Sequence, residues 1–317
     1  VVYPYDMRRD VSITMTGSNG KGVEKLIPFV PNSKAEGGGL TLNKWDENRQ
    51  ANPWVAAQRK SGINGPYMRM SEVYLGYAEV CAALGDVVTG KQYLKTVRER
   101  SFPQGLADTD GFIASFGNDL VRAIIEERGF EYAGEGDRRW TLIRSGYLPE
   151  DIKRIKDMTK AMMDGLATKG YYEFENGNII SAYIWTKLVD AKTIYGHRLT
   201  AQCPMDKVND PVLYPGWRGQ KDNWEEMGLN YGNSAPATNL AIKGLFEIVS
   251  EEEAASLESQ GYAKVNWGID LVDYRDEYDK YLFWDYDYVS APIYLWPFTP
   301  NVMAAGGFTN GYGFKQE

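Results

Sequence analysis

The sequence predicts a mostly α-helical protein with long irregular loops and a few short strands. Two observations carry this. Apolar residues recur at helical spacing through residues 66–168, and Gly-, Pro- and Asn-rich or aromatic stretches without that period occupy both flanks. A chain of 317 residues buries roughly three-quarters of its unfolded surface, so it needs no disulfide or metal to fold. At about 100–200 residues per domain it is one large domain or two.

Residues 1–65 are punctuated by Gly37-Gly38-Gly39 and Asn64-Gly65 and read as loops with short extended pieces. So long an unstructured opening is unusual in a compact domain, and it suggests the later part of something larger. From Met70, the residues Val73, Tyr74, Tyr77, Ala78, Cys81 and Leu84 line one face of a helix. Arg69, Glu72 and Glu79 fall on the opposite side, and Gly85-Asp86 ends the helix. A second helix covers about 90–101, making an αα-hairpin. A third is predicted over 111–132, with Ile113, Phe116, Leu120, Val121 and Ile124 on one face, and a fourth over 150–167.

The pattern then changes. Asn176-Gly177 lies between two aromatic or β-branched runs, 171–175 and 179–185, and marks a hairpin because both turn residues tolerate positive φ. Residues 201–235 form a long Pro- and Trp-bearing loop. Ser250-Glu251-Glu252-Glu253 is a capping box opening a last helix that Gly261 closes. The stretch from Trp267 to Phe314 is aromatic and irregular.

Several chemistries are excluded or unsupported. A net charge of −8 argues against nucleic acid or anionic lipid as the main partner. His197 is the only histidine, and no G-x-S-x-G elbow is present. Cys81 and Cys203 are too few and too far apart for a zinc site; Cys81 reads as a core residue, and their pairing stays open. No apolar run reaches 18 residues. Residues 17–22 lack the spacing of a phosphate loop, and Arg139 occupies the third glycine position of the dinucleotide-like pattern starting at Gly134. Neither a metal nor a cofactor is expected. Asp285-Tyr286-Asp287 lacks the spaced ligands and glycine of a calcium loop.

Carboxylates are plentiful at Glu126, Glu127, Glu131, Glu135 and Asp137, but no spacing marks a glycosidase pair. The plain reading is an ion-pair lattice with Arg122, Arg128, Arg138 and Arg139. Arg122 and Glu126 have the i,i+4 spacing of a helix pair.

Trp217 and Trp224 lie with Tyr214 in a polar, Gly- and Pro-rich loop, and Trp45 and Trp54 lie among Asn, Asp, Arg and Gln. Indole beside amides and carboxylates suits a sugar: the apolar ring face stacks and the hydroxyls take hydrogen bonds. The competing reading is that these rings anchor their loops to the protein body.

Two stretches together resemble the SusD/RagB family of surface nutrient-binding lipoproteins of Bacteroidetes. Arg69-Met70-Ser71-Glu72 through Leu75-Gly76-Tyr77-Ala78-Glu79, followed by Val97-Arg98-Glu99-Arg100, is similar to the family's "R-x-x-E-x-x-L-x-Y-A-E" and "V-R-x-R" helices. Glu127-Arg128 through Glu131, Glu135-Gly136, Arg138 and Leu142-Ile143-Arg144-Ser145-Gly146 is similar to "E-R-x-x-E-x-x-x-E-G-x-R-x-x-D-L-I-R-x-G". Thr141 replaces the usual Asp and Ser145 a frequent Trp. Near the end, 294–300 resembles a "Y-P-I-P" turn and 309–312 a closing "Q-N-P-G-Y".

The resemblance implies tetratricopeptide-like helical hairpins topped by irregular loops. It divides a single SusD-like domain, lacking its N-terminal half, into a loop-rich opening (1–65), a helical scaffold (66–168) and a loop- and aromatic-rich C-terminal region (169–317). It implies a non-enzymatic glycan-binding protein on the outward face of the outer membrane. The membrane would be reached only through a lipid anchor in the missing N-terminal part, and the partner would be a TonB-dependent, SusC-like transporter. The matched motifs carry structure: Arg69, Glu72, Glu79, Glu127, Arg128 and Arg138 are expected as partly buried, paired charges. Trp217, Trp224, Trp45, Trp54 and Tyr214 are the glycan-contact candidates, on the loop argument alone. The alternatives are a glycoside hydrolase with an unidentified Asp/Glu pair and a purely structural or adhesive surface protein.

Overall fold

A computed structural model describes residues 65–102, 104–190, 238–267 and 299–307. From the N-terminal region it adds residues 3, 6, 8, 12–14, 16–18, 24–26, 41, 42 and 44. Helix accounts for 58% of these residues, so the protein is mostly α. Two small two-stranded sheets come first: β1 (Ile13–Thr14) pairs with β4 (Thr41–Leu42), and β2 (Thr16–Ser18) with β3 (Glu24–Leu26), both antiparallel.

The scaffold begins with α1 (Met70–Ala83) and α2 (Val87–Glu99). They are joined by a three-residue turn, and Asp86 caps α2 by accepting from Thr89 N at 3.1 Å. That cap starts α2 three residues earlier than the sequence predicts. Gly90 lets the two backbones touch: a Cβ there would lie 3.0 Å from the Ala78 carbonyl oxygen and 3.2 Å from Leu120.

The buried stripe of α1 corrects the predicted one. Ser71, Leu75, Ala78 and Cys81 face inward, whereas Met70, Val73, Tyr77, Val80 and Leu84 are exposed. Arg69, Glu72 and Glu79 sit on the packed side, not opposite it. The helix is apolar on both flanks, so periodicity alone cannot choose between them. Ion pairs to the next helices choose the flank carrying Glu72 and Glu79. Cys81 is a buried free cysteine; Cys203 lies outside the described residues.

The predicted third helix is two. α3 (Thr109–Ala114) and α4 (Leu120–Glu131) are separated by a reversal in which Gly117 and Asn118 both take positive φ. Asp119 then restarts the helix, accepting from Arg122 N at 2.9 Å. An apolar 3.6-residue pattern ran through this break and concealed it. α5 (Asp137–Ser145), which the sequence reading leaves out, follows between Gly136 and Gly146, both left-handed. α6 (Leu148–Lys169) extends the predicted fourth helix at both ends.

α4 is the central element. One side contributes Leu120, Ala123 and Ile124 to a core with Leu75 and Ala78 of α1, Leu94 and Val97 of α2, and Phe112 and Ile113 of α3. Its other side places Ile125 against Leu142 and Leu148. A helix enclosed on both sides must bury its polar residues too, and Arg122, Glu126, Glu127, Arg128 and Glu131 are all buried.

Beyond α6, β5 (Tyr171–Glu173) and β6 (Ile179–Ser181) form the hairpin. The ladder ends at Glu173 and Ile179, and Phe174 N donates to the Asn178 carbonyl at 2.8 Å, so the turn proper is the three residues 175–177 instead of the two implied by Asn176-Gly177. β7 (Tyr183–Asp190) is the centre of an antiparallel sheet, between β8 (Thr238–Lys243) and β9 (Ala263–Asn266). α7 (Glu251–Ser259) joins β8 to β9, with Ser250 Oγ accepting from Glu253 N at 3.2 Å. Ile184, Leu245 and Trp267 form the core under this sheet, and Trp267 Nε1 donates to the Ser181 carbonyl at 2.6 Å. Within the stretch read as irregular, Pro300–Gly306 is a helix, α8.

Candidate functional site

Tyr214, Trp217, Trp224, Trp45 and Trp54 lie outside the described residues, as do His197 and Asp285-Tyr286-Asp287. What is described is the root of the loop carrying the first three. β7 and β8 pair in register from Trp185 with Lys243 to Asp190 with Thr238. Segment 191–237 therefore leaves and re-enters the protein at one end of a paired hairpin.

The charged residues are brought together in three groups around α4. In the first, Glu127, fully buried, accepts from Arg98 Nη1 at 2.8 Å and from Arg8 Nη1 at 2.6 Å. One turn along, Glu131 accepts from Arg69 Nη1 at 2.7 Å, Arg100 Nη2 at 2.6 Å and Arg8 Nη1 at 3.1 Å. Arg69 also engages Glu135 through Nε at 3.0 Å and Nη2 at 2.8 Å, and Lys44 pairs with Glu135. Arg98 donates from Nε to the Ala107 carbonyl at 3.0 Å, and its guanidinium lies 3.8 Å from the Phe112 ring centre. Arg8 and Lys44 thus tie the N-terminal region to the helices.

In the second group, Asp151, fully buried, accepts from Arg122 Nη2 and Arg138 Nη2, each at 2.5 Å, and from Arg154 Nη2 at 3.1 Å. Arg122 and Arg138 also reach Glu126, both at 2.8 Å. In the third, Arg128 pairs with Asp137 at 2.7 Å and Glu72 at 3.5 Å, and donates from Nε to Thr141 Oγ1 at 3.2 Å. Glu79 and Arg144 form a two-pronged pair at 2.5 and 2.8 Å on the more exposed edge. Of the six charges singled out in the sequence, Arg69 and Glu127 join the first group, Arg138 the second, and Arg128 and Glu72 the third, while Glu79 stands apart with Arg144.

Sequence reasoning missed Arg8 and Asp151. Arg8 lies 119 residues from Glu127, and nothing local marks it. Asp151 has a weak marker, since it opens α6 beside Glu150, where acidic residues are common for reasons of the helix dipole.

Two of these carboxylates, Glu131 and Asp151, are held ionised. Burial alone would push Glu131 up, but the Arg69 hydrogen bond and the charges of Arg8 and Arg100 outweigh it and bring it down to about 2. Burial likewise opposes ionisation of Asp151, and Arg138, Arg154 and Arg122 together lower it. A general acid needs the reverse shift. Glu131 and Asp151 therefore bind arginine and do not deliver protons. Burial pushes the Tyr132 phenol up to about 12 despite its hydrogen bond with Ser71. No group of three His, Cys, Asp or Glu able to hold a metal occurs among the described residues, and no helix there is long and apolar enough to cross a membrane.

A helical scaffold locked by buried arginine–carboxylate groups, followed by a small antiparallel sheet, defines a structural platform. The SusD family pattern matches residues 20–300. The chain belongs to that family. No curated protein and no solved structure matches it.

Proposed function

We propose that this protein captures a glycan at the outward face of the outer membrane and passes it to a TonB-dependent, SusC-like transporter. It is held there by a lipid anchor and performs no chemistry of its own. Membership of the SusD family over 281 residues, 20–300, is the observation that supports this most. The contacts are proposed at Tyr214, Trp217 and Trp224, on the loop rooted at the β7–β8 hairpin, with Trp45 and Trp54 as a second set. The ends of that segment are held side by side by the β7–β8 ladder, and in the sequence its indoles lie among hydrogen-bonding residues.

The hydrolase alternative receives no support from Glu131 and Asp151, which are committed to arginines and held ionised. Incubation with a panel of polysaccharides separates the two readings. Binding without release of reducing ends is the expected result; turnover abolished by one Asp or Glu substitution would reverse the assignment. Calorimetry with the oligosaccharide found in that panel then tests the loop. Trp217→Ala and Trp224→Ala should each weaken binding roughly tenfold, near the lower end of the 1–3 kcal/mol that aromatic stacking contributes in other ligands. Full affinity in both variants would remove the loop from the site.

A further inference from the structure

A second feature of the described structure resembles a ligand site and lies away from the tryptophan loop. A pocket of about 230 Å³ opens where the end of α6 and β5 meet β7 and the start of α7. That volume is below the roughly 300–1,000 Å³ of pockets for drug-sized ligands, so the pocket suits a single ring. Tyr171, Tyr183 and Trp185 supply aromatic walls, and Ile248, exposed, forms an apolar lip.

Its charged side chains stand exposed at its rim. Lys169 and Lys264 both line it, and among the described residues neither has a carboxylate partner. The Lys264 ammonium lies 4.4 Å from the Tyr183 ring centre and 6.0 Å from that of Trp185, so it is held over the aromatic wall. Ser250, the cap of α7, and Glu251 complete the polar lining. Two ammonium groups against one carboxylate leave the pocket net positive inside a protein of charge −8.

The geometry points to a subsite for one acidic sugar ring, a hexuronate. The apolar ring face lies against Tyr171 and the exposed part of Tyr183, with Trp185 as the buried floor beneath Lys264; the sugar carboxylate meets Lys264 and Lys169, and ring hydroxyls donate to Glu251. A neutral sugar forgoes the two charge-assisted contacts to Lys264 and Lys169, which is the source of the preference. The assignment rests on the glycan-binding reading for its ligand class only, since the residues are different.

Titration of the full chain by calorimetry with methyl glucuronide, methyl glucoside and acetate tests this. Saturable millimolar binding of the glucuronide is expected, with the glucoside about tenfold weaker and no saturation by acetate. Lys264→Met and Lys169→Met should each remove most of the preference for the glucuronide, with an unchanged far-UV circular dichroism spectrum. Trp217→Ala should leave it intact. Equal binding of the two glycosides, no saturable binding, or full preference retained in both lysine variants would overturn the subsite. If only the pocket fails while polysaccharide binding still responds to Trp217→Ala, the capture reading stands; if the pocket responds and no polysaccharide binds, that broader reading fails instead.

Discussion

Removing the Glu127 carboxylate should be among the most damaging single changes in the scaffold. Arg98 is 1% exposed and, among the described residues, has one carboxylate partner, Glu127, at 2.8 Å. It also touches the Ala107 carbonyl and the rings of Phe112, Phe102 and Tyr3, with centres 3.8, 4.7 and 4.9 Å from the guanidinium carbon. Aromatic faces soften the loss of a counter-charge but do not replace it. Glu127→Ala therefore strands a buried cation, which costs about 3–5 kcal/mol. Near 2 °C per kcal/mol, the low end for chains of this size, the melting temperature should fall about 6–10 °C. Glu127→Gln keeps the shape and an acceptor and should lose less. Glu127→Leu combined with Arg98→Met should be milder than the sum of the two, because residues in one network couple by about 0.5–3 kcal/mol. Thermal unfolding followed by circular dichroism measures the wild type, Glu127→Ala, Glu127→Gln, the single variants Glu127→Leu and Arg98→Met, and their combination. A drop below about 2 °C for Glu127→Ala, or additivity in the double variant, would refute the stranded-charge argument.

Three other outcomes are expected. Glu131, ordinarily near 4.5 and held at about 2, contributes stability that is complete above pH 4.5 and is lost as pH falls towards 2. The loss is on the order of 3 kcal/mol, read by denaturant unfolding across that window, and Glu131→Gln should flatten the profile. Asp119→Ala removes the cap that restarts the helix after the Gly117-Asn118 reversal and should cost about 1 kcal/mol in urea unfolding. Gly244→Ala should destabilise by about 1–2 kcal/mol, because Gly244 has φ +79 and its new Cβ would lie 2.9 Å from Val249 Cγ2 and 3.2 Å from Trp185 Cδ1; an unchanged urea midpoint would contradict the strain.

Element type was legible where a local cause exists. Ser250 acts through a backbone group three residues away, so the helix start at 251 was written in a short stretch of sequence; Asp86 caps α2 in the same way, yet the sequence reading began that helix near 90. The Asn176-Gly177 signal marked a hairpin, yet its loop length depended on the Phe174–Asn178 pairing. The break between α3 and α4 was missed because apolar spacing continued through it. Of the proposed glycan contacts, only the residue types in their loops were legible; the pocket at Lys169 and Lys264 was not, since its lining comes from segments roughly 80 residues apart.

By itself, the sequence determined that the chain would be mostly helical and that the SusD/RagB pattern runs through the helices carrying Arg69, Glu72, Glu127, Arg128 and Arg138. Those features need only local periodicity, caps and residue order. Tertiary structure alone decided which flank of α1 is buried and which charges meet. Leu75 and Ala78 face the core while Val73 and Tyr77 face outward, although all four are apolar. Arg8 reaches Glu127 across 119 residues, and Asp151 gathers three arginines from three helices. Hydrophobicity acts on each side chain without naming a neighbour. A buried charge must find a specific opposite charge at hydrogen-bonding distance, and that partner exists only once the helices have packed.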